Sequence, residues 1–210
     1  MPSVDQAAAW YREDDPVHGF DHILRVLDLA ERLAIAEGAD LEIVRAAVLL
    51  HDAKGGDATQ GERSQHQQLS AEFAREILAA ETWPPERIAA VQHCIRAHRF
   101  RGDEQPNTLE AQIVFDADKL DVIGAFGVAR TIAYAVEVGQ PVFAEPSDLF
   151  MQDSQKVPGE YHSAYHEYLF KLKGVIERLH TESAKTLAKA RHDFMVGFFE
   201  QLSAEARGER

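Results

Sequence analysis

The sequence has little that would place the chain outside the cell or in a membrane. Its 210 residues include one cysteine, Cys94, so no disulfide can form within the chain. No run of 18 apolar residues occurs, and residues 1–15 lack the apolar stretch of a secretion signal. We therefore expect a cytoplasmic protein in which Cys94 is a buried, small hydrophobic side chain.

Positive charge is also scarce. Twenty-two Lys and Arg residues face 35 Asp and Glu residues, which gives a net charge of −13 with histidine neutral. Such a charge disfavours binding to nucleic acid polymers and to anionic lipid surfaces. The sequence also lacks the glycine-rich nucleotide loops, the serine-hydrolase elbow and the His-Glu-x-x-His zinc motif. We expect neither a nucleic acid polymer nor a membrane as a partner.

Helical periodicity is what the sequence does contain. Ala, Leu, Glu and Arg dominate and alternation of β-branched residues is rare, so the pattern predicts an all-α fold. Gly38 and Asp40 are typical of a helix end and of the next helix start. The predicted helices cover residues 3–13, 19–37, 40–53, 64–81, 85–98, 109–122, 124–138, 161–178 and 181–206.

The length and the apolar fraction of 45% suit one domain over residues 1–210. We expect its core at about residues 18–138, with C-terminal helices at about 161–206 packing on it. Residues 53–63 are rich in glycine and polar side chains and predict a loop. Residues 140–160 contain three prolines and are long for a connection, so they form either a lid that selects substrate or a surface insert.

Ionisable side chains fall on the apolar faces of five predicted helices. A buried carboxylate needs an ion partner or a metal. Helices that pack around one centre would bring these groups together, where a divalent cation would satisfy them. Imidazole and carboxylate ligands suit Mn, Fe, Co, Zn or Ni better than Ca. The residues are His22 (with Val26 and Leu29), His51 (with Val44 and Val48), His66 (with Leu69, Phe73 and Ile77), His98 (with Val91 and Ile95) and Asp118 (with Val114).

The ordered set His22, His51-Asp52 and Asp118 resembles the H…HD…D signature of the HD-domain metal-dependent phosphohydrolases. The matching segments are HILRV, AAVLLHDAK and FDADKLDVIGAFGVART, together with the C-terminal YLFKLKGVIERLHTESAKTLAKARHDFM. The third is similar to the DADRLDAIGA-type segment of a bacterial subgroup, with Lys119 in place of arginine. The similarity covers most of residues 18–200. It implies a single HD-domain helical bundle whose metal site lies between the central helices.

The resemblance also implies the ligands of that site. His22, His51, Asp52 and Asp118 would hold one catalytic divalent ion, which could be Mn, Mg, Co, Fe, Ni or Zn. Asp116 is the alternative to Asp118, because both aspartates belong to the same Asp-Ala-Asp triplet.

Two further histidines match positions that hold a second metal in some members of the family. His66 and His98 would therefore either bind a second ion or contact the substrate phosphate or a bridging water. Lys119 is expected to bind substrate.

Three charged residues are candidates for catalytic roles. Lys54 and Arg25 would either offset the charge of the phosphate oxygens or form structural ion pairs. Asp57 would either orient or deprotonate the attacking water, or be a solvated loop acid. Asp121 is expected to hold a ligating histidine in place.

These residues predict a divalent-metal-dependent phosphohydrolase that acts on a small phosphorylated metabolite. The resemblance favours a nucleotide, cleaved at either a phosphomonoester or a pyrophosphate bond. The alternatives are a di-iron oxygenase and a regulatory module that binds a nucleotide without cleaving it. The stripe formed by Phe194, Phe198, Phe199 and Leu202 predicts core packing or a dimer contact, so a homodimer is one of the expected states.

Overall fold

A computed structural model describes residues 1–11, 19–54, 66–99, 102 and 104–210. Within these ranges all regular secondary structure is helical, which confirms the all-α prediction. The α-helices are α1 (Val4–Ala8), α2 (Phe20–Glu37), α3 (Leu41–Leu50), α4 (His66–Ala80), α5 (Pro85–Ala97), α6 (Leu109–Asp121), α7 (Gly124–Glu137), α8 (Asp148–Asp153), α9 (Ala164–Phe170) and α10 (Glu182–Ala206).

The predicted start and stop signals between α2 and α3 are confirmed. Gly38 ends α2 in the left-handed conformation, with φ of 76°, which costs glycine little. The Asp40 side chain accepts hydrogen bonds from the amides of Glu42 and Ile43 and so caps α3. Pro85 begins α5, where its missing amide hydrogen leaves no helical hydrogen bond unmade.

Two predicted segments differ from the structure. The single helix predicted over 161–178 is instead α9 followed by two 3-10 turns, Leu172–Gly174 and Ile176–Arg178. Lys171 leaves the helical conformation just before Gly174, which has low helix propensity. The segment 140–160 contains α8, whose first turn is capped by the Ser147 hydroxyl on the Phe150 amide. A side-chain cap within a proline-bounded loop gives a short helix that the proline pattern alone does not predict.

The face predicted for α4 is wrong. Leu69 is 39% exposed, whereas the buried side of the helix carries Ser70, Ala71, Ala74 and Leu78. These are mostly small side chains, which let the helix approach α5 closely. His66 lies one turn before Ser70 and is therefore on the buried side of α4, although the apolar residues predicted to share its face were wrong.

The contacts divide the chain into two compact units. The first contains Met1–Lys119 and Leu179–Ala184, and the second contains Leu120–Arg178 and Lys185–Arg210. In the first unit, α3 lies at the centre, with α2, α4 and α5 packed against it. Its residues Val44, Ala46, Ala47, Val48, Leu49 and Leu50 are fully buried, so α3 is enclosed on nearly all sides.

In the second unit, α7 packs against α9. Tyr168 of α9 stacks on Phe199 of α10, with ring centroids 4.4 Å apart, and both side chains are buried. Phe194, which the sequence placed on the same stripe as Phe199, is 53% exposed. The described part of the chain has no helix whose length and hydropathy would allow it to cross a membrane.

Candidate metal centre

The first element of the site joins α2 to α6. His22 lies in the first turn of α2, 1% exposed, on the same face as the buried Val26 and Leu29. Its Nε2 is 3.4 Å from Oδ1 of Asp118, which lies on α6 and is 8% exposed. The predicted periodicity therefore brings these two side chains together in the interior.

His51 is held in one tautomer by the helix that precedes it. It follows the last residue of α3, and its Nδ1 lies 2.8 Å from the carbonyl oxygen of Val48. Because a carbonyl oxygen only accepts, Nδ1 carries the proton and Nε2 presents its lone pair. Burial lowers the pKa of His51 to about 4, so the ring is neutral, as a metal ligand must be.

His98 repeats this arrangement at the end of α5. Its Nδ1 contacts the carbonyl oxygen of Ile95, so its Nε2 is again the nitrogen that is left to bind. The rings of His51 and His98 meet edge to face, with centroids 4.9 Å apart. Two helix C-termini thus direct two Nε2 atoms toward one point, and the negative ends of helix dipoles favour a cation there.

Asp52 lies between three histidines. Its Oδ1 is 3.5 Å from Nε2 of His66 and 3.5 Å from Nε2 of His98, and its Oδ2 is 3.6 Å from Nε2 of His51. These separations are too long for hydrogen bonds, although they suit donor atoms arranged around an ion. Burial raises the pKa of Asp52, but the neighbouring imidazoles outweigh burial and hold it well below its usual range.

Two atoms of the His51-Asp52 pair lack a hydrogen-bond partner among the described residues. They are His51 Nε2 and Asp52 Oδ1, and both are buried. A buried polar atom without a partner costs about 1–3 kcal/mol, so the pair is unfavourable unless something binds it. Imidazole nitrogen and carboxylate oxygen are donors that a divalent transition metal accepts together. The residues present therefore fit a metal ion.

The donor atoms form two overlapping groups within the described residues. His22, His51 and Asp118 form one, and His51, Asp52 and His98 form the other, with the ligand atoms of each lying within 4.8 Å of one another. The four predicted ligands thus converge, and His98 lies beside them. His66 adjoins these groups because its Nε2 lies next to Oδ1 of Asp52.

Lys119 is buried beside a predicted ligand. Its Nζ donates to Oδ2 of Asp118, and it lies 5.2 Å from the ring centroid of Phe115. Burial raises the pKa of Asp118, but the Lys119 ammonium together with His22 and His98 outweighs burial and keeps this pKa well below its ordinary value. The charge of Lys119 therefore offsets part of the negative charge of the ligand set.

The other aspartate of the triplet has different partners. Asp116 is fully buried, and its carboxylate accepts hydrogen bonds from the amides of His180 and Thr181 and from the Thr181 hydroxyl. Both of its oxygens are thus engaged at the residues that precede α10.

Of the candidate catalytic residues, Arg25 pairs with Asp21 at 2.6 Å. Lys54 is exposed, and its Nζ lies 4.4 Å from the ring centroid of Phe73. Asp121, expected beside a ligating histidine, accepts a hydrogen bond from Arg130 at 2.7 Å. Asp57 lies outside the described residues, as does the rest of 55–65.

One contact beside the site has no signal in the sequence. The buried hydroxyl of Ser70 accepts from the Lys54 amide at 3.1 Å and donates to the Lys54 carbonyl at 3.2 Å. It therefore fixes the turn that follows Asp52 against α4. A serine within a helical pattern gives no sequence signal for such a distant contact.

Converging histidines and aspartates within a helical fold are a donor set that could hold a metal ion. The sequence model of the HD domain family matches residues 19–123, which contain all the residues of this centre. The chain belongs to the HD domain family.

Solved structures agree with this assignment over nearly the whole chain. A Lactobacillus plantarum protein superposes with a TM-score of 0.79 at 30% identity, covering 98% of this chain and 95% of that one. Bacillus subtilis YpgQ, in a crystal structure with ADP, gives a TM-score of 0.72 at 31% identity, covering 97% of each chain. An HD-superfamily hydrolase from Bacillus thuringiensis gives 0.70 at 26% identity, covering 97% and 94%. The chain thus has the fold of HD-superfamily hydrolases.

Proposed function

We propose that this protein is a divalent-metal-dependent phosphohydrolase whose substrate is a small phosphorylated metabolite, in particular a nucleotide. The observation that carries the proposal is the buried pair His51 Nε2 and Asp52 Oδ1, which lack hydrogen-bond partners among the described residues and lie among further imidazole and carboxylate donors. His22, His51, Asp52 and Asp118 would hold the ion. When bound, such an ion polarises a phosphoryl oxygen and lowers the pKa of coordinated water.

The chain's own residues supply the remaining requirements of phosphate-ester hydrolysis. The Lys119 ammonium forms an ion pair with the Asp118 carboxylate. Lys54, two residues after Asp52, carries a second positive charge on an exposed side chain. Cationic groups near the reacting phosphate stabilise the charge on its oxygens. The surface of the protein is acidic overall, so these lysines favour a small anion at the site while the net charge disfavours a polymer.

Two related proteins support the proposal, one by its hydrolase class and the other by its nucleotide ligand. A protein of the same fold is an HD-superfamily hydrolase, and YpgQ binds ADP in its crystal structure. Both phosphomonoester cleavage and pyrophosphate release are compatible with the donor set. The contacts of Asp52 with both His66 and His98 also keep a two-ion centre, and with it a di-iron oxygenase, as the second candidate.

A reconstitution screen tests the proposal. Protein stripped with a chelator is loaded with Mn, Mg, Co, Fe(II), Ni or Zn and assayed against nucleoside mono-, di- and triphosphates, sugar phosphates and a generic phosphoester. We expect metal-dependent release of phosphate or pyrophosphate, which His51→Ala abolishes and His93→Ala retains. His93 is a matched control because it is a half-buried histidine of α5 that pairs with Glu104.

Other outcomes of the screen would contradict the proposal. Hydrolysis that survives both chelation and His51→Ala would exclude the metal site as the catalytic centre. Oxygen consumption by the iron-loaded protein, with no phosphate release, would favour the oxygenase. Tight nucleotide binding without turnover in every metal would indicate a regulatory module.

A further inference from the structure

Two aromatic residues that precede the HD domain match contact three of the helices that carry the candidate ligands. The Tyr11 ring lies 5.5 Å, centroid to centroid, from Phe20, which begins α2 two residues before His22. The Tyr11 hydroxyl donates to the carbonyl oxygen of Leu49 in α3 at 3.0 Å. Trp10 meets Phe73 of α4 edge to face at 5.3 Å. The family match begins at residue 19, so this contact lies outside it.

The Tyr11 hydrogen bond falls at the end of α3, where the His51-Asp52 pair begins. The last carbonyl groups of a helix have no partner within the helix and need one from elsewhere. Here the Val48 carbonyl accepts from His51 Nδ1, and the Leu50 carbonyl accepts from the Ala53 amide at 3.3 Å. The Leu49 carbonyl lies between them, and its side-chain donor comes from Tyr11, 38 residues earlier.

The Tyr11 phenol also lies near Asp52. Burial raises the pKa of this phenol well above its ordinary value, and the negative charge of Asp52 raises it further. A hydrogen bond with the Asp52 backbone acts in the opposite direction and is the smaller effect. The hydroxyl thus donates to the Leu49 carbonyl at 3.0 Å and lies near Asp52, a candidate ligand.

We infer that Tyr11 is a positioning residue of the metal centre, which fixes the end of α3 so that His51 and Asp52 present their donor atoms together. The inference rests on the proposed metal site and extends it to the segment before the HD domain. Tyr11 acts through the Leu49 carbonyl, and it bridges the helices that carry His22 and His51. Trp10 supports the same arrangement through Phe73 of α4, whose ring is also in contact with the Lys54 ammonium.

Mn²⁺ binding to the full-length, metal-free protein tests this role, measured by calorimetry and by electron paramagnetic resonance. Tyr11→Phe removes only the hydroxyl, and we expect Mn²⁺ affinity to fall about three- to tenfold, because groups that orient metal ligands have effects of this order or larger. Hydrogen exchange of the amides at 50–54 should become faster. The turnover number should fall more than KM changes, because the ion rather than the substrate is displaced.

Tyr168→Phe is the matched control, since Tyr168 is a buried tyrosine of the second unit. It should leave Mn²⁺ affinity unchanged. Wild-type affinity in Tyr11→Phe would overturn the inference, and so would a loss that Tyr168→Phe reproduces. If Tyr11→Phe does not fold, Tyr11→Trp keeps a ring against Phe20 but removes the hydroxyl that donates to Leu49, so it should lower Mn²⁺ affinity in the same way. Mn²⁺ affinity that survives His51→Ala would instead overturn the proposed metal site itself, so the two failures are distinguishable.

Discussion

Asp116 and Thr181 are joined by two hydrogen bonds. Oδ2 of Asp116 accepts from the Thr181 amide at 2.7 Å and from the Thr181 hydroxyl at 2.7 Å, while Oδ1 accepts from the His180 amide at 2.9 Å. The carboxylate thus ties α6 to the residues that begin α10. Asp118, two residues later on α6, instead faces His22 and Lys119.

This difference predicts opposite phenotypes for the two aspartates. Asp116→Asn replaces an acceptor oxygen with an amide that faces backbone donors, so we expect the free energy of unfolding to fall by about 2–3 kcal/mol. Its affinity for Mn²⁺ should stay within about twofold of wild type, whereas Asp118→Asn should lose tenfold or more. Urea denaturation and calorimetry measure the two quantities separately. A large loss of Mn²⁺ affinity in a folded Asp116→Asn would make Asp116 the ligand.

Gly127 in α7 has no room for a side chain. A Cβ atom there would lie 2.2 Å from the carbonyl oxygen of Val122 and 2.5 Å from its carbonyl carbon. Because the obstacle is backbone, we expect Gly127→Ala to lower the free energy of unfolding by about 1–3 kcal/mol. Gly197 in α10 has no atom of the described residues within 4 Å of such a Cβ, so Gly197→Ala should be neutral or stabilising. Equal effects of the two substitutions would contradict the prediction.

Local signals predicted much of the fold because helix caps and periodicity act over a few residues. Gly38, Asp40 and Pro85 all lie at the helix ends where their chemistry places them. The contacts that the sequence did not predict are distant ones. Ser70 meets Lys54 across 16 residues, and Tyr11 meets Leu49 across 38.

The candidate site shows the same contrast between local signals, which the sequence carries, and distant contacts, which it does not. The periodicity predicted that His22 and His51 face the interior, and both side chains are buried. The periodicity could not show that Asp116, on the same helix as Asp118, would accept hydrogen bonds from the backbone just before α10. Nor could the periodicity identify the buried face of α4, because that face carries mostly small residues rather than the large apolar residues of the predicted line. Tertiary packing decided both points.

The turn after Asp52 depends on the Ser70 hydroxyl. Ser70→Ala would leave both the amide and the carbonyl of Lys54 without this partner, so the free energy of unfolding should fall by about 1–2 kcal/mol, which urea denaturation measures. Ser203→Ala is the control, because the Ser203 hydroxyl bonds to the Glu200 carbonyl of its own helix. We expect the control to cost less, since that carbonyl also belongs to the helix. A larger loss in the control would show that Ser70 does not hold the turn.

Glu160 gives the second unit a predictable response to acid. Its carboxylate accepts from the amide and the hydroxyl of Ser147, from the Val157 amide and from His166 Nε2. The Ser147 amide is the main cause that lowers the pKa of Glu160 from 4.5 to about 2. A carboxyl whose folded pKa is depressed stabilises the fold fully above its unfolded pKa. That contribution is lost as the pH falls from 4.5 toward about 2.

Comparison of wild type with Glu160→Gln across this range isolates the contribution. We expect wild type to have the higher unfolding temperature at about pH 7, with the difference shrinking as the pH approaches about 2.5, because the wild-type carboxyl then becomes protonated too. Glu145→Gln is the control: Glu145 is an exposed carboxylate paired with Arg207, so its replacement should change little at either pH. A difference between wild type and Glu160→Gln that does not depend on pH would show that the hydrogen bonds of Glu160 stabilise the loop without regard to its charge.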